Sequence, residues 1–155
     1  MRIGLISDTH GIVRKQAVAA LKGADRLIHA GDIDTPGVLE ALEKIAPVSA
    51  VLGNMDSPRD FPGLARTDMI DINGVFFYVL HDLYLMDIDP KAAGISVVVS
   101  GHTHQPRVEE HDGVLYINPG SAGPKRSGRP LTLALLEIDG PNLRPRIIEL
   151  EDLAG

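Results

Sequence analysis

The chain has 155 residues, a formal net charge of −6 at pH 7, no cysteine, 44% hydrophobic residues and 4% aromatic residues. This length predicts one domain over residues 1–155, with an interior built from aliphatic rather than aromatic side chains. The absence of cysteine excludes disulfides and thiolate zinc sites. The negative charge argues against a broad nucleic-acid-binding surface.

The N-terminal residues begin an apolar segment at once, at Ile3, and lack the long apolar region of a signal peptide. No run of the sequence approaches the roughly 18 apolar residues that a membrane span needs. We therefore expect a soluble, cytoplasmic protein that has no membrane partner.

The first third of the chain alternates strand and helix patterns. In chain order it predicts a strand at 2–7, a helix at 13–22, a strand that begins at Leu27, a helix after Thr35 and a strand at 48–52. Thr35 and Pro36 suit the N-cap and the first position of the second helix. A βαβαβ pattern of this kind implies parallel strands joined by right-handed crossovers.

The second half of the chain is rich in hairpin patterns. Asn73-Gly74 lies between two apolar runs and is the strongest hairpin signal, and a weaker helical stretch near residues 87–93 precedes a strand at 95–100. Further strands are predicted at 69–72, 75–80, 107–110, 114–118, 131–138 and 143–150, with one long loop at 119–130. Parallel strands early and hairpins late predict an α/β (α+β) fold in which two sheets pack face to face with helices outside.

Five short polar signatures each follow an apolar run. They contain four histidines, two aspartates and one asparagine, and they are Asp8-x-His10, Gly31-Asp32, Gly53-Asn54, His81 and Gly101-His102-Thr103-His104. Because open α/β sheets place their sites at the carboxyl ends of strands, we expect these side chains to meet at one edge of a sheet. In extended backbone Asp8 and His10 would face the same way and reach one ion, and the spacing of the last two histidines suits the same purpose.

Each signature taken alone also has an ordinary structural interpretation. Asp32 suits a helix N-cap or a turn, Asn54 suits a left-handed turn, and His81 suits the exposed end of a strand. Taken together, seven oxygen and nitrogen ligands in sequential order at strand ends predict a site for two divalent cations. Two cations close together need a shared anion, which favours Asp32 as a bridging carboxylate.

The five signatures, together with Asn118-Pro119-Gly120-Ser121, resemble the motif series of the calcineurin-like metallophosphoesterases, and within them the small single-domain phosphodiesterases of bacteria and archaea. The resemblance covers essentially the whole chain. It implies a four-layer αββα sandwich of two mixed β-sheets and a binuclear metal centre. The implied ligands are Asp8, His10, Asp32 and His104 for one ion, and Asp32, Asn54, His81 and His102 for the other.

The function implied by this resemblance is that of a metal-dependent phosphoesterase, in the first place a phosphodiesterase. Such an enzyme cleaves a small phosphoester by in-line attack of a metal-activated hydroxide. Catalysis is then expected from Asp8, Asp32, Asn54 and His81, and substrate binding from Asn54 and Arg126. Oxygen and nitrogen ligands without thiolate suit Mn²⁺ first, and also Fe, Zn²⁺, Ni²⁺ or Co²⁺.

Two residues beside the predicted ligands depart from the family pattern. Many relatives carry a histidine after the asparagine that is thought to protonate the leaving group, whereas this chain has Met55. A general acid is typically worth about 10²–10⁴-fold in rate, so we expect aryl phosphodiesters with good leaving groups to be cleaved far better than alkyl phosphates. Asp82 stands where the family usually has glycine, and its side chain is expected to crowd His81 or to add a carboxylate near the second ion.

Other classes of function stay open at this point. The retromer scaffold subunit resembles this branch but has a degraded metal site, so a non-catalytic protein-binding scaffold on the same fold is the alternative. A metal-binding protein without turnover is a third interpretation. The complete set of seven ligands favours catalysis. Edge strands could also support a homo-oligomer.

Three further polar residues have weaker assignments. Asp56 is expected either to orient Asn54 or a ligand histidine, or to act as a turn carboxylate. His29 is expected to pack or to hydrogen-bond near the sheet end rather than to bind metal. His111 is expected to belong to a hairpin.

Overall fold

The computed structural model describes residues 1–126 and 128–150. In chain order its elements are β1 (Arg2–Ile6), α1 (Lys15–Leu21), β2 (Arg26–His29), α2 (Pro36–Glu43), β3 (Val48–Ala50), β4 (Thr67–Ile72), β5 (Val75–Leu80), a 3₁₀ turn (Leu83–Leu85), β6 (Val97–Val99), β7 (Arg107–His111), β8 (Val114–Asn118), β9 (Thr132–Asp139) and β10 (Asn142–Glu149). The predicted domain, residues 1–155, includes residues 127 and 151–155, which lie outside the described residues. The predicted loop at 119–130 includes residue 127.

Two mixed sheets of five strands each carry the fold. The first has the order β10-β9-β1-β2-β3, in which β1, β2 and β3 are parallel and β9 is antiparallel to both of its neighbours. The second has the order β4-β5-β6-β8-β7, in which β5, β6 and β8 are parallel and both edge strands are antiparallel to their neighbours. The predicted pair of mixed sheets is confirmed, and the Asn73-Gly74 hairpin joins β4 to β5 as expected.

Alternation of side chains along the strands divides the interior into layers. In β6, Val97 and Val99 pack between the two sheets, whereas Val98 faces the outer side of the second sheet. In β2, Ile28 packs between the sheets, and Leu27 packs with buried side chains of α1 and α2 outside the first sheet. These layers confirm the predicted α/β sandwich.

An irregular segment, residues 83–95, covers the outer side of the second sheet and makes the fourth layer. Ile95 is buried there with Tyr78 and Val98, and Met86 and Ile88 pack against this cluster. The outer layer is therefore apolar where it touches the sheet, although it contains only one turn of helix.

The predicted helix near 87–93 is wrong, because this stretch forms turns. Pro90 disfavours helical backbone at the residue before it. The Asp89 carboxylate also accepts hydrogen bonds from the backbone N–H groups of Lys91 and Ala92, at 3.2 and 3.4 Å. These contacts have the form of an N-cap, so they start a new turn at Pro90 and do not continue a helix from residue 87.

The start of α2 agrees with the prediction in position but not in detail. Thr35 occupies the N-cap and Pro36 begins the helix, yet within the described part of the chain the Thr35 side chain makes no capping hydrogen bond. The fixed backbone angle of proline suits a first helical turn. Among residues 1–126 and 128–150, no helix is long and apolar enough to cross a membrane.

Candidate metal centre

The five polar signatures follow the carboxyl ends of five neighbouring strands. Asp8 follows β1, Asp32 follows β2 and Asn54 follows β3 in the first sheet, whereas His81 follows β5 and the pair of histidines at 102 and 104 follows β6 in the second. The site therefore lies where the edges of two sheets adjoin, rather than at the edge of one sheet as the sequence alone suggested.

Most of the predicted ligands stand on left-handed backbone. The φ angles are 55° at Asp8, 47° at His10, 58° at Asp32, 73° at His102 and 62° at His104. The extended geometry expected for Asp8-x-His10 is therefore wrong. Positive φ is uncommon outside glycine, and residues held in such conformations cluster at functional sites. The chain turns sharply as it leaves each strand.

Two glycines in the signatures allow the loops to approach one another. A Cβ on Gly53 would overlap the Asp32 side chain, and a Cβ on Gly101 would overlap Ser7 and Asp8. Glycine is required where backbone packs this closely against a neighbouring loop. The loops after β2 and β3, and those after β1 and β6, are thereby brought into contact.

Each of the two aspartates has one carboxylate oxygen anchored and one directed at the histidines. Asp8 Oδ2 accepts hydrogen bonds from Ser7 Oγ at 2.7 Å and from the His102 backbone N–H at 3.1 Å. Asp32 Oδ1 accepts one from the Met55 N–H at 2.9 Å. Such contacts hold a carboxylate in one orientation before any ion binds.

The other two oxygens lie among three imidazole nitrogens. Asp8 Oδ1 is 3.2 Å from His104 Nε2, 3.7 Å from His81 Nε2 and 4.0 Å from His10 Nε2. Asp32 Oδ2 is 3.2 Å from His81 Nε2 and 3.8 Å from His10 Nε2. Within the groups Asp8–His10–His104 and Asp8–Asp32–His81, the ligand atoms all lie within 4.8 Å of one another.

Several of these atoms are buried without a partner among the described residues. Asp8 Oδ1, His10 Nε2 and His81 Nε2 have no hydrogen bond there, although buried polar atoms are nearly always paired. His81 Nδ1 lies 2.8 Å from the Ala30 carbonyl, so it donates to that oxygen and leaves the lone pair of Nε2 directed into the site. Unpaired oxygen and nitrogen atoms without a thiolate fit divalent metal ions.

The remaining two predicted ligands lie at the rim of the site. The His102 side chain is 43% exposed, and its ring meets that of His81 edge-on, with 5.2 Å between centroids. Asn54 is exposed and lines a cavity of about 110 Å³ together with His81 and Asp82. We call Asn54 and His102 the rim ligands. The inner ligands are Asp8, His10, Asp32, His81 and His104.

In the inner group the two aspartates favour positive charge on the neighbouring histidines, whereas burial opposes it. Burial favours the neutral form of Asp32, but contact with His81 and a backbone N–H lowers the pKa of this carboxyl below its usual value. Burial acts against protonation of His81, yet Asp32 and Asp8 raise the pKa of its imidazole. At His104, burial lowers the pKa; Asp8 opposes this effect and Arg126 reinforces it.

Comparison with known proteins decides the family. A model of the calcineurin-like phosphoesterase superfamily domain matches residues 1–140. The chain belongs to this superfamily. A probable metallophosphoesterase of Methanothermobacter thermautotrophicus is 33% identical over an aligned stretch of 160 residues. The match covers 96% of this chain and 92% of the relative.

Solved structures of similar proteins support the same assignment. An archaeal phosphodiesterase has a TM-score of 0.79 and 26% sequence identity, and the match covers 96% of this chain and 100% of that one. Vps29 of Entamoeba histolytica, solved in complex with Zn²⁺, has a TM-score of 0.73 and 20% identity, with 97% of this chain and 99% of that one covered. The likeness to Vps29 shows a shared fold.

Asp56 ties together two ligand-bearing loops of this phosphoesterase fold. Its buried carboxylate accepts hydrogen bonds from the N–H groups of Ile33, Asp34 and Gly53, at 2.8 to 3.2 Å. It therefore joins the loop of Asp32 to that of the rim asparagine through backbone. The expectation that Asp56 orients a ligand side chain directly is not what the contacts show.

His29 is buried and hydrogen-bonds to both the loop after β1 and the loop after β2, in agreement with its predicted hydrogen-bonding role. Its Nδ1 accepts from the Gly31 N–H at 3.1 Å, so Nε2 carries the proton toward Thr9 Oγ1 at 3.0 Å. Burial lowers the pKa of His29 to about 3. The ring is therefore neutral at ordinary pH, and its contact with Thr9 holds the loop after β1 in place.

The Asn118–Ser121 motif holds two further ligand loops of the phosphoesterase. Asn118 Nδ2 donates to the Gly101 carbonyl at 2.9 Å and to Thr103 Oγ1 at 3.1 Å. Ser121 Oγ donates to the Asp8 carbonyl at 3.1 Å. Only the family resemblance singled out this motif, and these contacts give it a physical role.

Sequence reasoning missed Asp34, whose Oδ2 lies 3.5 Å from His10 Nδ1. A carboxylate near that nitrogen favours the tautomer whose Nε2 is free to bind a metal. The only local sign was an acidic residue two positions after Asp32, which is common in turns. His111, in contrast, lies in the hairpin of β7 and β8 as expected.

Three residues around the centre, Met55, Arg126 and Asp82, are exposed or partly exposed to solvent. Met55 is 60% exposed beside the rim asparagine, and Arg126 is exposed, with its charge acting on His104. Asp82 Oδ1 accepts from the Tyr84 N–H at 3.1 Å, and its Oδ2 lies 4.0 Å from His102 Nε2. Both departures from the family pattern therefore lie on the solvent side of the centre.

Proposed function

We propose that this protein is a binuclear metal-dependent phosphodiesterase. The observation that carries the proposal is the buried, unpaired Oδ1 of Asp8, which is surrounded by imidazole nitrogens of three histidines. An isolated carboxylate oxygen is costly to bury unless a cation or a hydrogen bond compensates for it. A divalent ion beside that oxygen removes this cost.

The seven predicted ligands divide between two ions in this proposal. Asp8, His10, Asp32 and His104 would hold one, and Asp32, Asn54, His81 and His102 would hold the other. Mn²⁺ is the first choice, with Fe, Zn²⁺, Ni²⁺ and Co²⁺ as alternatives for the same ligand chemistry. When bound, such a pair lowers the pKa of water and stabilises charge on a phosphoryl group.

The side chains of the protein then bind and orient the substrate. Asn54 contributes to both metal and substrate, and the exposed Arg126 supplies positive charge to phosphoryl oxygens on the side of His104. Asp8, Asp32 and His81 are held by backbone contacts, so their geometry needs little reorganisation during reaction. Similarity to a protein named as an archaeal phosphodiesterase supports the choice of a diester.

Met55 sets the expected leaving-group preference. A thioether cannot donate a proton, so departure of an alkoxide is not assisted at this position. Aryl esters, whose leaving groups are stable anions, are therefore the better substrates by about 10²-fold or more. Comparable rates for aryl and alkyl diesters, with chemistry rate-limiting, would contradict this part of the proposal.

The direct test is hydrolysis of bis(p-nitrophenyl) phosphate by the purified protein with and without added Mn²⁺. We expect turnover that requires metal and that falls by at least about 10³-fold in Asp8→Asn, since two-metal sites supply several kcal/mol of transition-state stabilisation. Asp68→Asn, an exposed carboxylate on β4, is the matched control.

A fully metal-loaded protein that hydrolyses no phosphoester from a broad panel would overturn the proposal. That result would instead support a non-catalytic scaffold on the same fold. Location in the cytoplasm and a homo-oligomeric state stay predictions from the sequence, and cell fractionation and light scattering would test them.

A further inference from the structure

A second cavity, of about 310 Å³, opens beside the rim ligand His102. Gly101 and Thr103, the residues on either side of that histidine, form part of its wall. Asp82 lines it as well, and Asp82 Oδ2 is 4.0 Å from His102 Nε2. A ligand in this cavity would therefore lie next to the proposed metal centre.

The outer face of the second sheet forms the far wall of the cavity. Tyr116 on β8 and His111 on β7 both line it, and their rings meet edge-on with 5.6 Å between centroids. Tyr84 lines it from the 3₁₀ turn and is 94% exposed. A side chain this large and this exposed gains little from folding and is free to cover a ligand.

The charges in the cavity argue against a second phosphate there. Glu109 is bound by Arg107 at 2.6 Å and by His111 at 3.1 Å, so its charge is balanced within the wall. The Asp82 carboxylate stands at the side nearest the metal centre. An uncharged group suits this lining better than an anion does, whereas the phosphoryl group itself belongs with the cationic centre.

We propose that this cavity binds a planar aromatic ester group of the substrate, the one that stays on phosphorus after cleavage; the inference rests on the proposed phosphodiesterase function. Tyr84 and Tyr116 supply the ring contacts. The volume is near the lower end for small-molecule sites, which suits a single ring system rather than a polymer. A nucleoside and a simple aryl group share this chemistry.

Three diesters with the same leaving group test the proposal. Methyl p-nitrophenyl phosphate, phenyl p-nitrophenyl phosphate and thymidine 5′-(p-nitrophenyl phosphate) each release p-nitrophenolate when water replaces it at phosphorus. They differ only in the group that stays behind. Aromatic stacking contacts of this kind are typically worth about ten-fold in binding.

Tyr84→Ala and Tyr116→Leu should lower kcat/KM about ten-fold for the ring-bearing esters and leave the methyl ester within about two-fold. The matched control is Phe76→Ala, since Phe76 is an exposed aromatic on β5 that lines neither cavity. A fall in kcat/KM with the phenyl ester alone would identify an aryl substrate. A fall in kcat/KM that includes the thymidine ester would identify a nucleoside. Equal loss for all three esters, or no loss for any, would overturn the proposal.

A binding measurement separates failure of the subsite from failure of the enzyme. In the protein loaded with diamagnetic Zn²⁺, the product thymidine 5′-phosphate should shift the NMR amide signals of Gly101, Thr103 and Tyr116, and the shifts should weaken in Tyr84→Ala. The product methyl phosphate should shift them far less. Turnover of all three esters without these shifts refutes the subsite alone, whereas shifts without turnover refute the phosphodiesterase and keep the subsite.

Discussion

The inner ligands and the rim ligands of the metal centre differ in burial, and three of the five inner ligands are also held by backbone. The two inner aspartates are anchored by backbone N–H groups, and the inner His81 is anchored by a backbone carbonyl. The rim ligand His102 is 43% exposed, and Asn54 is exposed as well. A pre-arranged site binds an ion without an ordering cost, so we expect the inner group to bind metal more tightly.

The difference extends to the residues around each group. Buried ties surround the inner ligands, including Asp56, His29 and Ser121, whereas the rim borders two cavities and the exposed Met55. Both departures from the family pattern lie on that second side. We therefore expect the inner region to serve metal binding and the rim to select the substrate.

The largest expected effect contrasts one ligand from each group. His104→Ala should weaken binding of the tighter Mn²⁺ by about 100-fold or more, and His102→Ala should weaken that same binding step by no more than about ten-fold. Calorimetric titration with Mn²⁺ measures both. Equal losses of Mn²⁺ affinity at the tighter binding step in the two variants would contradict the distinction between inner and rim ligands.

The next effect concerns Asp56, whose hydrogen bonds join the loop of Asp32 to that of Asn54. Asp56→Asn should lower the free energy of unfolding by about 2–3 kcal/mol, because hydrogen bonds to a buried charged group are lost and an amide N–H then faces backbone donors. Urea unfolding measures this change. Asp60→Asn, in the same loop but exposed, is the control, and a similar small effect for both would show that Asp56 is an ordinary turn residue.

A third effect should depend on pH and should develop only as the pH falls below the usual pKa of histidine. Burial lowers the pKa of His29 to about 3 in the folded protein, so below pH 6.5 the unfolded chain binds a proton that the folded chain does not. The stability from this residue is thus present above pH 6.5 and is lost as the pH falls toward 3, with a slope of about 1.4 kcal/mol per pH unit.

Comparison of unfolding curves for the wild type and His29→Gln between pH 7 and pH 4 isolates this contribution. The difference in free energy of unfolding should change with the stated slope. His111→Gln, an exposed histidine, should follow the wild type. Parallel pH curves for the wild type and His29→Gln would show that His29 is not held neutral.

The smallest expected effect is at Asp82, and it tests what the rim carboxylate does. Asp82→Asn keeps the side-chain volume and an acceptor for the Tyr84 N–H but removes the charge. We expect it to weaken the looser metal site by less than about ten-fold, since the lost contact is solvent-exposed. Asp82→Gly also removes any crowding, and a rise in metal occupancy in that variant would show that steric hindrance dominates.

Sequence reasoning singled out the predicted ligands but not the residues that position them. Asp56 and Asp34 act on partners that other strands bring near them, and neither carries a local signal that distinguishes it from a turn carboxylate. The geometry expected for Asp8-x-His10 was wrong for a related reason, because tight packing between loops imposes left-handed backbone at both residues. The helix expected near 87–93 failed through local chemistry at Asp89-Pro90 that a periodicity argument does not weigh.

Local sequence was enough to predict the class of fold, the order of the strands along the chain and the ligand chemistry expected at the site. These follow from local information, since apolar alternation specifies strands and residue type specifies what an atom can bind. The position of the site where the edges of two sheets adjoin, with five predicted ligands inside and two at the rim, follows from the tertiary structure. Those features depend on which loops pack together and which atoms lose water, and burial of this kind is a property of the whole fold.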